Sequence, residues 1–311
     1  MDKKGVSIYS LKLRIMKSFK QQFISLKGLL LIMFITVNPF IAMAQEGTLS
    51  DLIEQSIAVG IEQEKLHDLQ SRAQSHGIAD ADLMAIISPA VSMAEQNLPY
   101  GMIFDKAFEG ISKRVTSQQL QPILNSIAES SIEAAQLVDP WMNRPEVDRM
   151  LTRSGNRLDR DAYRNDMIKA GSKGLMNNFD RNVLESMLES VATSNAMEHT
   201  SPSGIFTAIN ILSDLPTAAK EPAKSARMVL NALNGGFNAS ELQKLPGVMN
   251  MAERRSQLPA QAVAVGFTQQ LLEGLPASQI LNNLFNGEIG GGPPGNLIPG
   301  LNRGIPGMVK F

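Results

Sequence analysis

Cysteine is absent from this 311-residue chain. Disulfide scaffolds, thiolate metal sites, cysteine nucleophiles and lipid attachment at a lipobox cysteine are therefore all excluded. Histidine is nearly absent too: His67, His76 and His199 are the full set. None of them pairs at the helical i, i+4 spacing of a metal site, so each reads as a solvated or capping residue. Aromatic residues make up only 5%. No Gly-x-Ser-x-Gly elbow, phosphate loop or dinucleotide fingerprint occurs. Gly290-Gly291-Gly292 is followed by Pro293-Pro294 and by no helical pattern, so it is not a phosphate cradle. No cofactor is expected.

What is present is ordinary for a folded chain: 43% hydrophobic residues, 17 Met and a net charge of −1. That near-neutral total conceals an asymmetry. Lys3, Lys4, Lys12, Arg14, Lys17, Lys20 and Lys27 face a single acid, Asp2, and an apolar run from Leu29 to Ala44 follows, interrupted at Asn38-Pro39. It ends Ala42-Met43-Ala44 before Gln45. A basic stretch, a short apolar run and an A-x-A site are the parts of a secretory signal peptide, here residues 1–44 with cleavage between Ala44 and Gln45. An uncleaved anchor is the alternative, and Met16 competes with Met1 as the start. The run is short for a membrane span, which needs ~20 apolar residues. Removing residues 1–44 leaves 22 basic and 29 acidic residues, a net charge of −7. Such a chain is a poor non-specific binder of nucleic acid. With no second apolar span, the expectation is a soluble exported protein, periplasmic or extracellular, without an integral membrane span.

From Gly47 to Phe285 apolar residues recur at three- and four-residue spacing, as in Val183, Leu184, Met187, Leu188 and Val191. Sustained alternation is missing, so the class is all-α. A short pattern of an apolar residue followed by a small polar residue or Pro recurs at Ile78-Ala79-Asp80, Leu98-Pro99, Val115-Thr116-Ser117, Phe179-Asp180, Leu215-Pro216, Phe237-Asn238, Leu258-Pro259 and Leu275-Pro276. It reads as a helix start, stapled by the apolar residue and opened by a proline or a cap. Gly77, Gly110, Gly236 and Gly274 lie close by and are expected to end the preceding helix in the left-handed conformation.

Two stretches share a longer order of landmarks. One runs Gly77-Ile78, Leu83, Pro89, Met93-Ala94-Glu95, Leu98-Pro99, Glu109-Gly110. The other runs Gly236-Phe237, Leu242, Pro246, Met251-Ala252-Glu253, Leu258-Pro259, Glu273-Gly274. They read as copies of one unit, a short helix, a proline break and a helical hairpin; chance agreement between helix-start signals is the alternative. The expected architecture is an array of helical hairpins, solenoid-like or two-lobed. It divides into a repeat region at 45–138, Arg/Asp-rich connecting helices at 139–170, a second repeat region at 171–286 and a disordered Gly/Pro-rich tail at 287–311. That tail still holds Leu297, Ile298, Leu301, Ile305, Met308, Val309 and Phe311. These apolar side chains either fold back along a helical groove or form a docking peptide for another envelope protein.

Two sets of residues are candidates for function. Residues 139–166 contain six Arg, six acids, the only Trp and Tyr163. Trp141, Arg149, Arg153, Arg160, Tyr163 and Arg164 would suit a surface for an anionic or sugar ligand, whereas the matching number of acids suits a salt-bridged face. Pro145 is expected to open a helix there, ended by Ser154-Gly155-Asn156 before another starts at Leu158. The second set is Glu95, Glu109, Glu253 and Glu273, which occupy matched places in the two copies. Glu109 and Glu273 each precede a glycine at an expected helix end, the unfavourable end for an acid. A bridge to the exposed N–H groups of the following helix would explain them structurally, and general acid/base work chemically. The leading functional expectation is a non-enzymatic interaction or scaffold protein of the envelope. A binder of lipid or another apolar ligand, drawing on the 13 Met after residue 44, is the alternative, and a glutamate-dependent hydrolase ranks below both.

Overall fold

The computed structural model describes residues 47–153, 159–194, 196–218 and 220–289. The signal segment and residues 290–311 of the tail lie outside them. The chain divides into two units, Met1–Leu52 and Ile53–Phe311. In the first, the described residues begin helix α1 (Leu49–Ala58), where the Thr48 N–H and Oγ1 donate to the Asp51 carboxylate at 2.8 and 2.9 Å.

The second unit, among its described residues, is helical throughout. It contains α2 (Gln63–Ser75), α3 (Asp80–Glu95), α4 (Gly101–Ser112), α5 (Ser117–Met142), α6 (Pro145–Arg153) and α7 (Arg160–Met176). Then come α8 (Arg181–Thr193), the single turn α9 (Ala196–His199), α10 (Pro202–Ile211), α11 (Pro222–Asn234), α12 (Ala239–Ser256), α13 (Ala260–Leu272) and α14 (Ala277–Asn286). Packing follows a second-neighbour rule. Helices α3, α5, α7, α10, α12 and α14 touch in that order, while α2 touches α4 and α8, α11 and α13 form another series. The longest, α5, buries Leu120, Leu124, Ile127, Ser131, Ala134, Val138 and Trp141 along one stripe at three- and four-residue steps. Gly171 lets α7 approach α5, because a Cβ there would lie 3.2 Å from the Ala134 methyl. Ser131 and Ser172 hydrogen-bond across this contact at 3.2 Å. Eight methionines, among them Met93, Met167 and Met249, are buried in the core.

One connector joins most of these helices. A residue with positive φ ends the first helix, an apolar residue follows, and an extended residue leads into the next. The positive-φ residues are Gly60, Gly77, Asn97, Arg114, Asn178, Gly236, Gln257 and Gly274. The apolar residue after them sends its N–H back to the carbonyl five residues earlier, as in Ile78 to Ala73 (2.9 Å), Val115 to Gly110 (2.9 Å) and Phe237 to Ala232 (3.0 Å). The next helix is often capped as well. Asp180 accepts from the N–H groups of Asn182 and Val183, and Asn238 forms a capping box with Glu241.

Four expectations are corrected here. Gly110 does not end a helix: it lies inside α4, and the left-handed residue is Arg114 at φ 56°. Glycine serves at 110 because a Cβ would stand 2.7 Å from Leu120 Cδ1. Leu215-Pro216 does not start a helix: Leu215 follows a single 3-10 turn, Leu212–Asp214, and α11 opens only at Pro222. Pro89 and Pro246 break nothing: both sit within continuous helices, α3 and α12, and in α3 Ile86, Ile87, Ala90 and Val91 are buried on either side of the proline. Finally, Met93-Ala94-Glu95 and Met251-Ala252-Glu253 stand at different distances from the left-handed residues Asn97 and Gln257, so the two triplets are not equivalent places. Continuous helices run through positions 138/139 (α5) and 170/171 (α7).

Candidate functional site

Pro145 opens α6 and Asp159 caps α7, accepting from the N–H groups of Asp161 and Ala162. Ser154, Gly155, Asn156 and Leu158 lie outside the described residues. The two aromatic candidates of this stretch belong to the core. Trp141 is 3% exposed and donates its indole N–H to the Leu188 carbonyl at 2.9 Å. Tyr163 is 5% exposed and donates its hydroxyl to the Pro202 carbonyl at 3.2 Å. Burial pushes the Tyr163 phenol far above its ordinary range. Both sit on the apolar stripe of a packed helix, which withdraws them from any surface shared with the arginines.

The arginines divide into two kinds. Arg164 grips Asp139 in a two-pronged pair, Nε to Oδ1 at 2.6 Å and Nη2 to Oδ2 at 3.0 Å. Its third nitrogen donates to the carbonyl of the left-handed residue Asn97 at 2.8 Å. One guanidinium thereby joins α7, α5 and the α3–α4 connector, which suits its fixed planar fork. Arg160 similarly joins Asp148 (2.9 Å) and the Met142 carbonyl, and Arg144 pairs with Glu189. These three hold elements together.

Arg149 and Arg153 differ, because they line an open cleft. Arg149 pairs with Glu146 at 3.0 Å and Arg153 donates to the Met197 carbonyl at 2.5 Å. With Thr193, Ser194, Glu198 and His199 they surround about 450 Å³ between α6 and the α8–α9 segment. Ser194 and His199 also border a second cleft of about 520 Å³, reaching Asn234 and Asn238 at the α11–α12 connector. A third, also about 520 Å³, lies between the α2–α3 and α4–α5 connectors and includes His76, Asp82, Arg114 and Thr116. All three are open and polar-edged, and suit polar groups better than acyl chains. Sequence alone singled out Arg149 and Arg153 here. His199, Asn238 and Ser194 come from other elements and carried no local pattern. His76 is the C-cap of α2, with Nδ1 2.9 Å from the Arg72 carbonyl, and His67 is exposed.

The four carboxylates are not brought together at these clefts, none of which they line. Glu95 accepts from Gln55 Nε2 at 3.1 Å. Glu273 is the C-cap of α13 and accepts from Gln269 Nε2 at 3.0 Å. Glu253 lies half-buried in the last turns of α12. Glu109 is not its counterpart: it sits inside α4 between two lysines, Lys106 Nζ at 2.8 Å and Lys113 Nζ at 2.6 Å. Their hydrogen bonds, reinforced by charge, hold its carboxyl down at about 2. These i, i+3 and i, i+4 partners take the place of the N–H groups of the following helix. Among the described residues no group of three or more His, Asp or Glu is placed to hold a metal ion, and no helix is long and apolar enough to cross a membrane. Comparison with known protein families, curated proteins and solved structures finds no match to this chain.

Proposed function

We propose that this protein is an exported, non-enzymatic scaffold of the cell envelope, built as an array of helical hairpins whose surface binds another envelope protein. The observation that carries the reading is the second-neighbour packing of helices joined by one connector used eight times. Where each helix pair rests on its neighbours, stability is shared along the array and the outer helix faces are left for partners. The export half rests on the basic segment, the apolar run and Ala42-Met43-Ala44 ahead of Gln45. The mature chain then works in the periplasm or outside the cell. Its acidic balance of −7 favours protein partners over nucleic acid.

The test is crosslinking of tagged protein in its native envelope followed by mass spectrometry, beside a chain ending at Asn286. A recurrent envelope protein in the crosslinked product, with N-terminal sequence beginning at Gln45, is the expected result. Absence of any recurrent partner from both samples overturns the scaffold reading. An intact N-terminus in the membrane fraction overturns the cleaved export reading.

A further inference from the structure

Helix α13 buries Val263, Phe267 and Gln270 against its neighbours, with the Phe237 and Phe267 rings 5.7 Å apart edge to face. Its opposite side is unusual. Val265 is 61% exposed and Leu272 78%, the two most exposed large hydrophobic side chains among the described residues. Seven positions apart, they lie on one stripe of the helix. Helix α13 also ends the series α8, α11, α13, so no later described helix rests on it. The last pair of a helical array ordinarily shows water a polar face, and this one does not.

The path of the chain after α14 bears on what covers that stripe. Gly287, at φ 78°, turns the backbone against the end of α12, where a Cβ would lie 2.9 Å from Arg255 Cβ. The Glu288 carbonyl then accepts from Gln270 Nε2 at 3.2 Å, and Asn283 Nδ2 donates to Gln270 Oε1 at 2.9 Å. Gln270 is only 2% exposed, so a buried amide fastens the outgoing chain to the inner side of α13. From there the sequence runs through Gly290, Gly291, Gly292, Pro293, Pro294, Gly295 and Asn296 before its first large apolar pair, Leu297-Ile298. Seven residues reach about 23 Å when extended. The way round half of a helix about 10 Å across is roughly 16 Å. Leu297 and Ile298 are thus the first large apolar side chains past the point at which the chain can stand over Val265 and Leu272.

From this geometry we infer that residues 290–311 are the cover of the Val265–Leu272 stripe, passing round α13 and laying Leu297, Ile298 and Leu301 on its outer side. This goes beyond the scaffold reading and holds for the free protein, with or without a partner.

The absence of cysteine makes the test clean. Leu272→Cys and, as a control on exposed α5, Glu129→Cys each introduce a single thiol whose maleimide labelling is timed in purified protein. Labelling of a covered thiol waits for local opening, so Leu272→Cys should react at least about tenfold more slowly in the full chain than in one ending at Ile289. Glu129→Cys should react equally fast in both. Replacing Leu297, Ile298 and Leu301 together by serine in the full chain should restore fast labelling without any truncation. Equal rates at position 272 in the full and shortened chains overturn the inference. Protection that survives removal of the tail, or grows with protein concentration, overturns it in favour of a second copy. No envelope partner is present in this assay, so its failure is distinct from failure of the scaffold proposal.

Discussion

The clearest quantitative consequence concerns Gly110 and Arg114, whose roles are the reverse of what their side chains suggest. Gly110 has ordinary helical geometry, yet an added Cβ would stand 2.7 and 3.1 Å from the two methyl groups of Leu120, itself only 2% exposed. Alanine inside a helix gains about 0.5–1 kcal/mol over glycine. Forcing a methyl into a packed core costs about 1–3 kcal/mol. Gly110→Ala should therefore lose about 1 kcal/mol net. Arg114 is held at φ 56°. That conformation costs a residue with a Cβ about 1–2 kcal/mol, partly offset by the greater unfolded-state freedom of glycine, about 0.4–1 kcal/mol. Arg114→Gly should then gain about 0.5–1 kcal/mol. For a domain of this size each kcal/mol moves the melting temperature by roughly 2–4 °C. Urea titration followed by circular dichroism measures both changes. Leu120→Ala supplies the internal control: once the side chain is cut back, Gly110→Ala should become stabilising by the helix-propensity gain alone. A destabilised Arg114→Gly, or a stabilised Gly110→Ala in the wild-type background, would refute the reasoning, since either result means that position 110 and not 114 carries the left-handed turn.

Three further outcomes follow from the same geometry. Alanine at Arg164 and at Asp139, separately and together, should give a coupling energy of about 1 kcal/mol; the two-pronged geometry raises it above an ordinary surface pair, while the half-open Asp139 keeps it below a buried one. Coupling near zero in urea titrations would place the pair among decorative surface contacts. Tyr163→Phe should cost about 1 kcal/mol at neutral pH by leaving the Pro202 carbonyl without its donor. Because the folded phenol titrates above its ordinary value of 10.0, wild-type stability is complete below that pH and falls as pH rises beyond it. The gap between wild type and Tyr163→Phe should accordingly narrow in melts above pH 10, and a constant gap would contradict the buried position of the phenol. Trp141→Phe removes the donor to the buried Leu188 carbonyl and should cost about 1–3 kcal/mol in urea titrations; an unchanged midpoint would show that this bond contributes nothing.

Helix class and many helix boundaries were legible in the residues. Ile78, Leu98, Val115, Phe179, Phe237, Leu258 and Leu275 do mark the passage into a new helix, because an apolar side chain beside a capping residue or proline is local chemistry. The residue that turns the chain was half legible. Glycine signals it at Gly77, Gly236 and Gly274, but Asn97, Arg114, Asn178 and Gln257 adopt the same positive φ without announcing it. There the returned hydrogen bonds and the neighbouring packing outweigh the cost of a Cβ. Leu215-Pro216 carries the same letters and starts nothing, since the chain still has to turn before α11 can begin at Pro222.

Long-range roles were not legible. Arg149, Arg153, Arg160 and Arg164 look alike in sequence and have like-charged and oppositely charged neighbours in similar numbers. Only their placement separates a three-element clamp at Arg164 from the cleft lining at Arg149 and Arg153. Trp141 and Tyr163 likewise resembled surface residues because of the charges around them, yet helical periodicity turns their faces inward.

By itself the sequence determined the all-α class, the staples and caps that divide the chain, and the lack of cysteine chemistry, since each depends on a residue and its near neighbours. Tertiary structure decided which helices touch, which glycine is needed for space and which for its turn, and which charged groups meet across dozens of positions. Those outcomes depend on the approach of distant helices, as where Leu120 fills the space beside Gly110, and no local pattern records them.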